Sequence, residues 1–189
     1  VAAGAAVAGV AVVGFAFQSV QAASDLNETL NKSAAIFGDS ADEVEAWGST
    51  AYKTMGLSKN AAVGAAASFG DMFLQLGFAR EKATDMSTSV VQLAADLGSF
   101  NNLPTAEVAD MISAAFRGEY DSLQRLIPNI NAARVETEAL AMTGKKSAKE
   151  LTAQEKAAAT LAIVQRDGAK AAGDFAKTSG GLANQQKIL

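Results

Sequence analysis

Apolar side chains recur at helical spacing along most of the chain, and the strict alternation of a half-buried strand is rare. The clearest pattern lies between Ser99 and Asn131. Asn101, Asn102 and Pro104 are turn formers, and the proline ring disfavours helical backbone at Leu103, so a helix is expected to begin near Thr105. Val108, Met111, Ile112, Ala115 and Phe116 then fall on one face, with Glu107 and Asp110 off it. Arg117-Gly118-Glu119 breaks the run, and a second short helix is expected with Tyr120, Leu123, Leu126 and Ile127 on one side, stopped by Pro128. The other helices are expected to pack around this stretch.

Upstream, Ser40 and Glu43 have the spacing of a capping box, and Val44, Trp47, Ala51 and Met55 supply the apolar face of a helix closed by Gly56. A lone Trp at this period reads as core. Ser58 is the predicted cap of the next helix, with Ala61, Ala65, Phe69, Met72 and Leu76 on its inner face. Its only charge between Ala61 and Ala79 is Asp71, which would be costly in lipid, so a bundle helix is a better reading than a membrane segment. Gly64, Gly70 and Gly77 should each weaken it by about 1 kcal/mol relative to Ala. Met86, Val90, Leu93 and Leu97 mark another helix, expected to end at Gly98.

Downstream, a helix is expected from Ile130 to Met142 with Arg134, Glu136 and Glu138 largely exposed. Lys145, Lys146 and Lys149 form a basic cluster that reads as a solvated loop. Thr152 and Glu155 make a second capping box, opening a helix with Ala157, Leu161 and Val164 aligned. Gly168 and Gly173 should loosen the chain before Phe175, and Ser179-Gly180-Gly181 should break it before a further helix begins. The pattern as a whole predicts an all-α fold, a bundle of roughly six to eight modest helices over 24–178, preceded by an apolar helix over 1–23 and followed by the start of another over 179–189.

The leading segment differs from the rest. Val1 to Phe17 has no polar or charged side chain, and the first charge is Asp25. As a helix, 1–24 would reach about 36 Å, enough to cross a hydrocarbon core of ~30 Å. Val1, Val7, Val10, Val12, Val13, Phe15 and Phe17 would then be the membrane-facing residues. The same absence of a polar face fits a helix surrounded by protein in an oligomer or tube. Both readings stand at the level of sequence. A chain that starts at Val rather than Met is expected to be a fragment of a longer protein.

Nearly half of the 189 residues are apolar, but many are Ala and few are aromatic, so close packing of thin helices around a modest core is expected. There is no Cys and no His, which removes disulfides, thiolate or imidazole metal sites and Ser-His or Cys-His nucleophilic catalysis. The net charge of -4 does not favour nonspecific or sequence-specific nucleic-acid binding. Asp39, Asp42, Glu43 and Glu45 are the densest acidic group and lie where a helix start favours acids. They lack the alternation and turn glycine of a calcium loop. No cofactor and no enzymatic activity are expected.

The helix, RGE break and leucine-rich turn of 105–128 resemble the globular part of tail tape measure proteins of long-tailed, siphovirus-like bacteriophages. So do LTAQEK with the following GDFAKT and LANQQ phrases in 151–189, and ASDLNETLNK near the start; the likeness spans about 22–189. The resemblance implies a structural protein of the tail tube lumen that sets tail length and, released at infection, helps DNA cross the cell envelope. It implies as partners the tail tube protein, tail tip or distal tail proteins and tail assembly chaperones, a three- or sixfold homo-oligomer, and contact of the leader with the host inner membrane. An alternative class, drawn from the apolar segments alone, is a helical pore-forming or secreted effector protein.

Overall fold

The computed structural model describes residues 24–181, and the membrane-facing candidates Val1, Val7, Val10, Val12, Val13, Phe15 and Phe17 lie outside them, as does the predicted helix start after Gly181. The described residues form an all-α bundle. Helix α1 covers 24–37 and passes through a 3-10 turn, Gly38–Ser40, into α2 (Ala41–Met55). There follow α3 (Lys59–Gln75), α4 (Arg80–Phe100), α5 (Thr105–Phe116), α6 (Ala132–Thr143), α7 (Ala153–Asp167) and the five-residue α8 (Asp174–Thr178). Among the described residues no helix is long and apolar enough to cross a membrane.

The central element is α4, not the 99–131 stretch. It packs against α2, α3, α5 and α8. Two properties of its sequence explain this. At 21 residues it is longer than its neighbours, and it buries side chains around much of its circumference, including Val90, Val91, Leu93, Ala94, Ala95 and Leu97. The small residues among them let neighbouring helices approach from different sides, as a helix apolar beyond a single stripe requires. Met86, Val90, Leu93 and Leu97 are buried as expected.

Gly98 does not end α4. The helix runs on to Phe100 and closes in a Schellman turn, in which Leu103 N–H donates to Gly98 O at 2.7 Å and Asn102 N–H to Ser99 O at 3.2 Å. Asn102 occupies the left-handed position, φ 55°. The returning backbone explains the glycine: a Cβ on Gly98 would stand 2.8 Å from Leu103 O. The same turn closes α5 at the predicted break, with Gly118 at φ 95° and Glu119 N–H donating to Ala114 O at 3.0 Å.

Helix α3 is a bundle helix, but its inner face is rotated from the expected one. Ala62, Val63, Ala66, Phe69, Gly70 and Phe73 are buried, whereas Ala61 is exposed and Ala65, Met72 and Leu76 are half-buried. Nearly every position of this helix is apolar or small, so periodicity alone could not fix which stripe faced inward. Phe73 decides it. Its ring makes edge-on contact with Phe116 at a centroid distance of 4.9 Å and with Phe78 at 5.8 Å, and Phe69 stacks at 6.2 Å.

Three further expectations are corrected. Ser40 makes no side-chain cap, because it sits in the 3-10 turn at φ -85°, ψ 1° rather than in the extended conformation from which a cap side chain reaches back. The predicted second helix after Gly118 is a set of turns with one 3-10 element, Leu123–Arg125, although Leu123 and Ile127 are fully buried. Helix α6 begins at Ala132, capped by Asn131 Oδ1 accepting from Arg134 N–H at 2.9 Å, while Ile130 plugs the core from the loop.

The polar residues of α6 are not a solvated face. Helices α6 and α7 are laced by Arg134–Asp167 (2.6 Å), Lys156–Glu136 (2.8 Å) and Arg166–Glu138 (2.9 Å). The predicted capping box at Thr152 and Glu155 forms. Lys145 leaves the basic loop to bind it, its Nζ donating to Glu155 at 2.7 Å and to Glu150 O at 2.8 Å, while Lys146 and Lys149 stay exposed.

Candidate functional site

The end of the bundle holds the least ordinary chemistry. After α7 the chain turns at Gly168, makes a 3-10 element at Ala169–Ala171, passes Gly173 at φ 72° and enters α8. These residues, 168–178, form a strap lying against α4, with α8 also touching α2. Rather than loosening the chain, the two glycines shape it. A Cβ on Gly168 would stand 2.6 Å from Val164 O, and Gly173 takes the left-handed conformation that L side chains avoid.

Asp96, in the penultimate turn of α4, is the catch. It is 4% exposed and is the only charged side chain buried among the described residues. Its Oδ2 accepts from Gly173 N–H at 2.9 Å and its Oδ1 from Phe175 N–H at 3.3 Å. Gln92 Nε2 stands 3.5 Å from Oδ1 and the same distance from Thr54 O, a long bridge from the carboxylate to the end of α2. Among the described residues no Lys or Arg lies within ion-pair distance of Asp96. Backbone N–H groups carry its solvation in place of a cation.

Three residues further along α4, Ser99 completes the contact. Its hydroxyl donates to Asp174 Oδ2 at 2.7 Å and lies 3.0 Å from Thr178 Oγ1, which in turn donates to Asp174 O at 2.7 Å. Phe175, 1% exposed, and Ala171, 1% exposed, are the apolar anchors of the strap. Asp96 and Ser99 share a helix face at i, i+3, and so meet the Gly-Asp-Phe turn together.

Sequence reasoning passed over Asp96, although a signal was there. It follows Val90, Val91, Leu93, Ala94 and Ala95 and precedes Leu97, so almost every direction from the helix is apolar. An acid in such a helix must be buried and must find donors.

This arrangement fixes a chain segment. Among the described residues no group of His, Cys, Asp or Glu could hold a metal ion. A shallow depression between α3 and α5, lined by Ala65, Ser68, Phe69, Ala109, Asp110 and Ser113 among others, has Asp110 as the one charged group in its lining. Comparison with known proteins gives no family model, no curated protein and no solved structure that matches the chain.

Proposed function

We propose that the chain belongs to a tail tape measure protein of a long-tailed bacteriophage. In this reading it is a structural component of the tail tube lumen that sets tail length and leaves at infection to assist DNA passage across the cell envelope. The observation that carries the reading is the position of the residues that bear the resemblance. The RGE break closes α5 in a Schellman turn, and GDFAKT is the segment that Asp96 and Ser99 hold. Within the likeness, Gly118 and Gly173 take left-handed backbone conformations and the N–H groups of Gly173 and Phe175 are held by the buried Asp96, whereas Arg117 and Glu119 are exposed; it is these backbone positions that support the reading.

The physics of an all-helical chain supports the reading further. A helix advances ~1.5 Å per residue, so an extended helical chain of this length would span about 280 Å, and residue count becomes distance. A compact bundle cannot measure in that way. The bundle is therefore either a non-measuring part of the protein or a form that unravels to enter the tube, and its many Ala and Gly contacts favour unravelling. Its proposed partners are the tail tube protein, tail tip or distal tail proteins and tail assembly chaperones, with a three- or sixfold homo-oligomer about the tube axis. The leader 1–23 is the proposed contact with the host inner membrane.

Co-expression with the tail tube protein of the same phage, followed by sedimentation of assembled tubes, tests the proposal. The chain is expected to sediment with the tubes. A chain that remains in the supernatant and instead floats with liposomes would replace this reading with the pore-forming one.

A further inference from the structure

We propose that the strap over 168–178 opens as a unit from a bundle that stays folded, and that Asp96 and Ser99 are the catch that holds it shut. The inference concerns a conformational device in the fold and does not depend on the tail assignment.

Three observations carry it. First, the strap cannot sustain itself: a three-residue 3-10 element and a five-residue helix are far below the length at which a helix is stable alone. Its order is therefore borrowed from α4 and α2. Second, among the described residues its buried apolar anchors are Ala171 and Phe175, and its hydrogen bonds to α4 side chains converge on Asp96 and Ser99, within one turn of that helix. Loss of that one contact point releases most of what holds it. Third, the bundle on the near side of the strap is fixed independently. Helix α7 buries Leu161, Ile163 and Val164, has its own capping box, and is tied to α6 through Asp167, the residue just before Gly168. Opening therefore has a natural boundary at Gly168. Local openings of this kind involve segments with few buried contacts and leave the stable core intact.

The opened state presents the face of α4 that carries Asp96 and Ser99. It also gives the chain beyond Thr178 freedom to move away while α1 to α7 keep their packing. A pull on that distal chain would meet the catch before it met the core.

The chain has no cysteine, which permits a reversible lock. Ser99 Oγ and Thr178 Oγ1 are 3.0 Å apart, so the double variant Ser99→Cys with Thr178→Cys can be closed by oxidation and reopened by reduction. The readouts are tryptic cleavage after the exposed Lys170 and Lys177, hydrogen exchange along the chain, and thermal melting. In the unaltered chain the strap amides should exchange faster than those of α4. Asp96→Asn should speed cleavage by about 10- to 100-fold, the shift expected from losing a hydrogen bond to a charge, with little change in melting of the bundle. Oxidation of the cysteine pair should return cleavage to the original rate or below. If Asp96→Asn fails to fold, Ser99→Ala supplies the same comparison. Strap and α4 amides exchanging together, or cleavage indifferent both to the catch variants and to the lock, would overturn the proposal.

Discussion

The ring of Phe37 occupies the space that a side chain at Gly70 would need: its Cζ stands 2.7 Å from the position of a Cβ there. Phe37 is fully buried, so the ring cannot swing out to solvent. Gly70→Ala is therefore expected to destabilise the protein by about 1–3 kcal/mol through overpacking, despite the better helix propensity of Ala. Gly64, two turns earlier on the same helix, is different: its nearest neighbour is the Thr29 methyl at 3.6 Å, an ordinary contact. Gly64→Ala is expected to stabilise by about 0.5–1 kcal/mol. Urea denaturation of the two variants should move in opposite directions.

Phe73 is the hub of the aromatic cluster, touching Phe69, Phe78 and Phe116. Phe73→Ala should cost about 3–5 kcal/mol, because three ring neighbours on different helices and loops cannot all collapse into the space. Equilibrium unfolding checks this. Phe100, 56% exposed at the end of α4, provides the contrast. Its replacement by Ala should change stability by less than about 0.5 kcal/mol.

Lys145 and the Thr152 backbone hold the Glu155 carboxyl below its ordinary value, first through the lysine hydrogen bond and then through the capping hydrogen bond. A carboxyl depressed in the folded state binds protons less readily there than in the unfolded chain. Its contribution is therefore fully present above the ordinary carboxylate value of about 4.3 and is lost as pH falls through the lower folded value. Thermal melts from pH 7 down to 3 should show a shallower acid-side decline for Glu155→Gln than for the parent. Equal slopes would remove Glu155 from the acid response.

The two capping-box signals explain why some of the fold was legible in the sequence and some was not. Ser40/Glu43 and Thr152/Glu155 have the same spacing, yet only the second closes. Thr152 follows an extended link and has β-region backbone, whereas Ser40 closes the short 3-10 turn that the chain enters at Gly38 (φ 58°) and has near-helical backbone itself. The spacing reports the side chains; the incoming chain direction decides whether they can be used. In α3 the limit was different, since a helix apolar on most sides does not announce which stripe Phe73 will turn inward. In α4 the periodicity marks the buried positions, but Gly98 carries the sequence signal of a helix stop, because the close return of Leu103 that requires it is a contact no local pattern shows. The Gly-Asp-Phe strap was readable only as a phrase, because its partner Asp96 lies 77 residues from Gly173.

The most direct measurement is the hydrogen exchange of two amides, Gly173 and Phe175, resolved by nuclear magnetic resonance in the parent chain and in Asp96→Ala. The account predicts that both are protected in the parent and lose at least about tenfold in protection in the variant, as an unsatisfied donor costs about 1–3 kcal/mol. Val90 and Leu97 in α4 should keep theirs. Exchange of Gly173 and Phe175 at unfolded-chain rates in the parent, or unchanged protection in the variant, would contradict the claim that one buried carboxylate holds the strap.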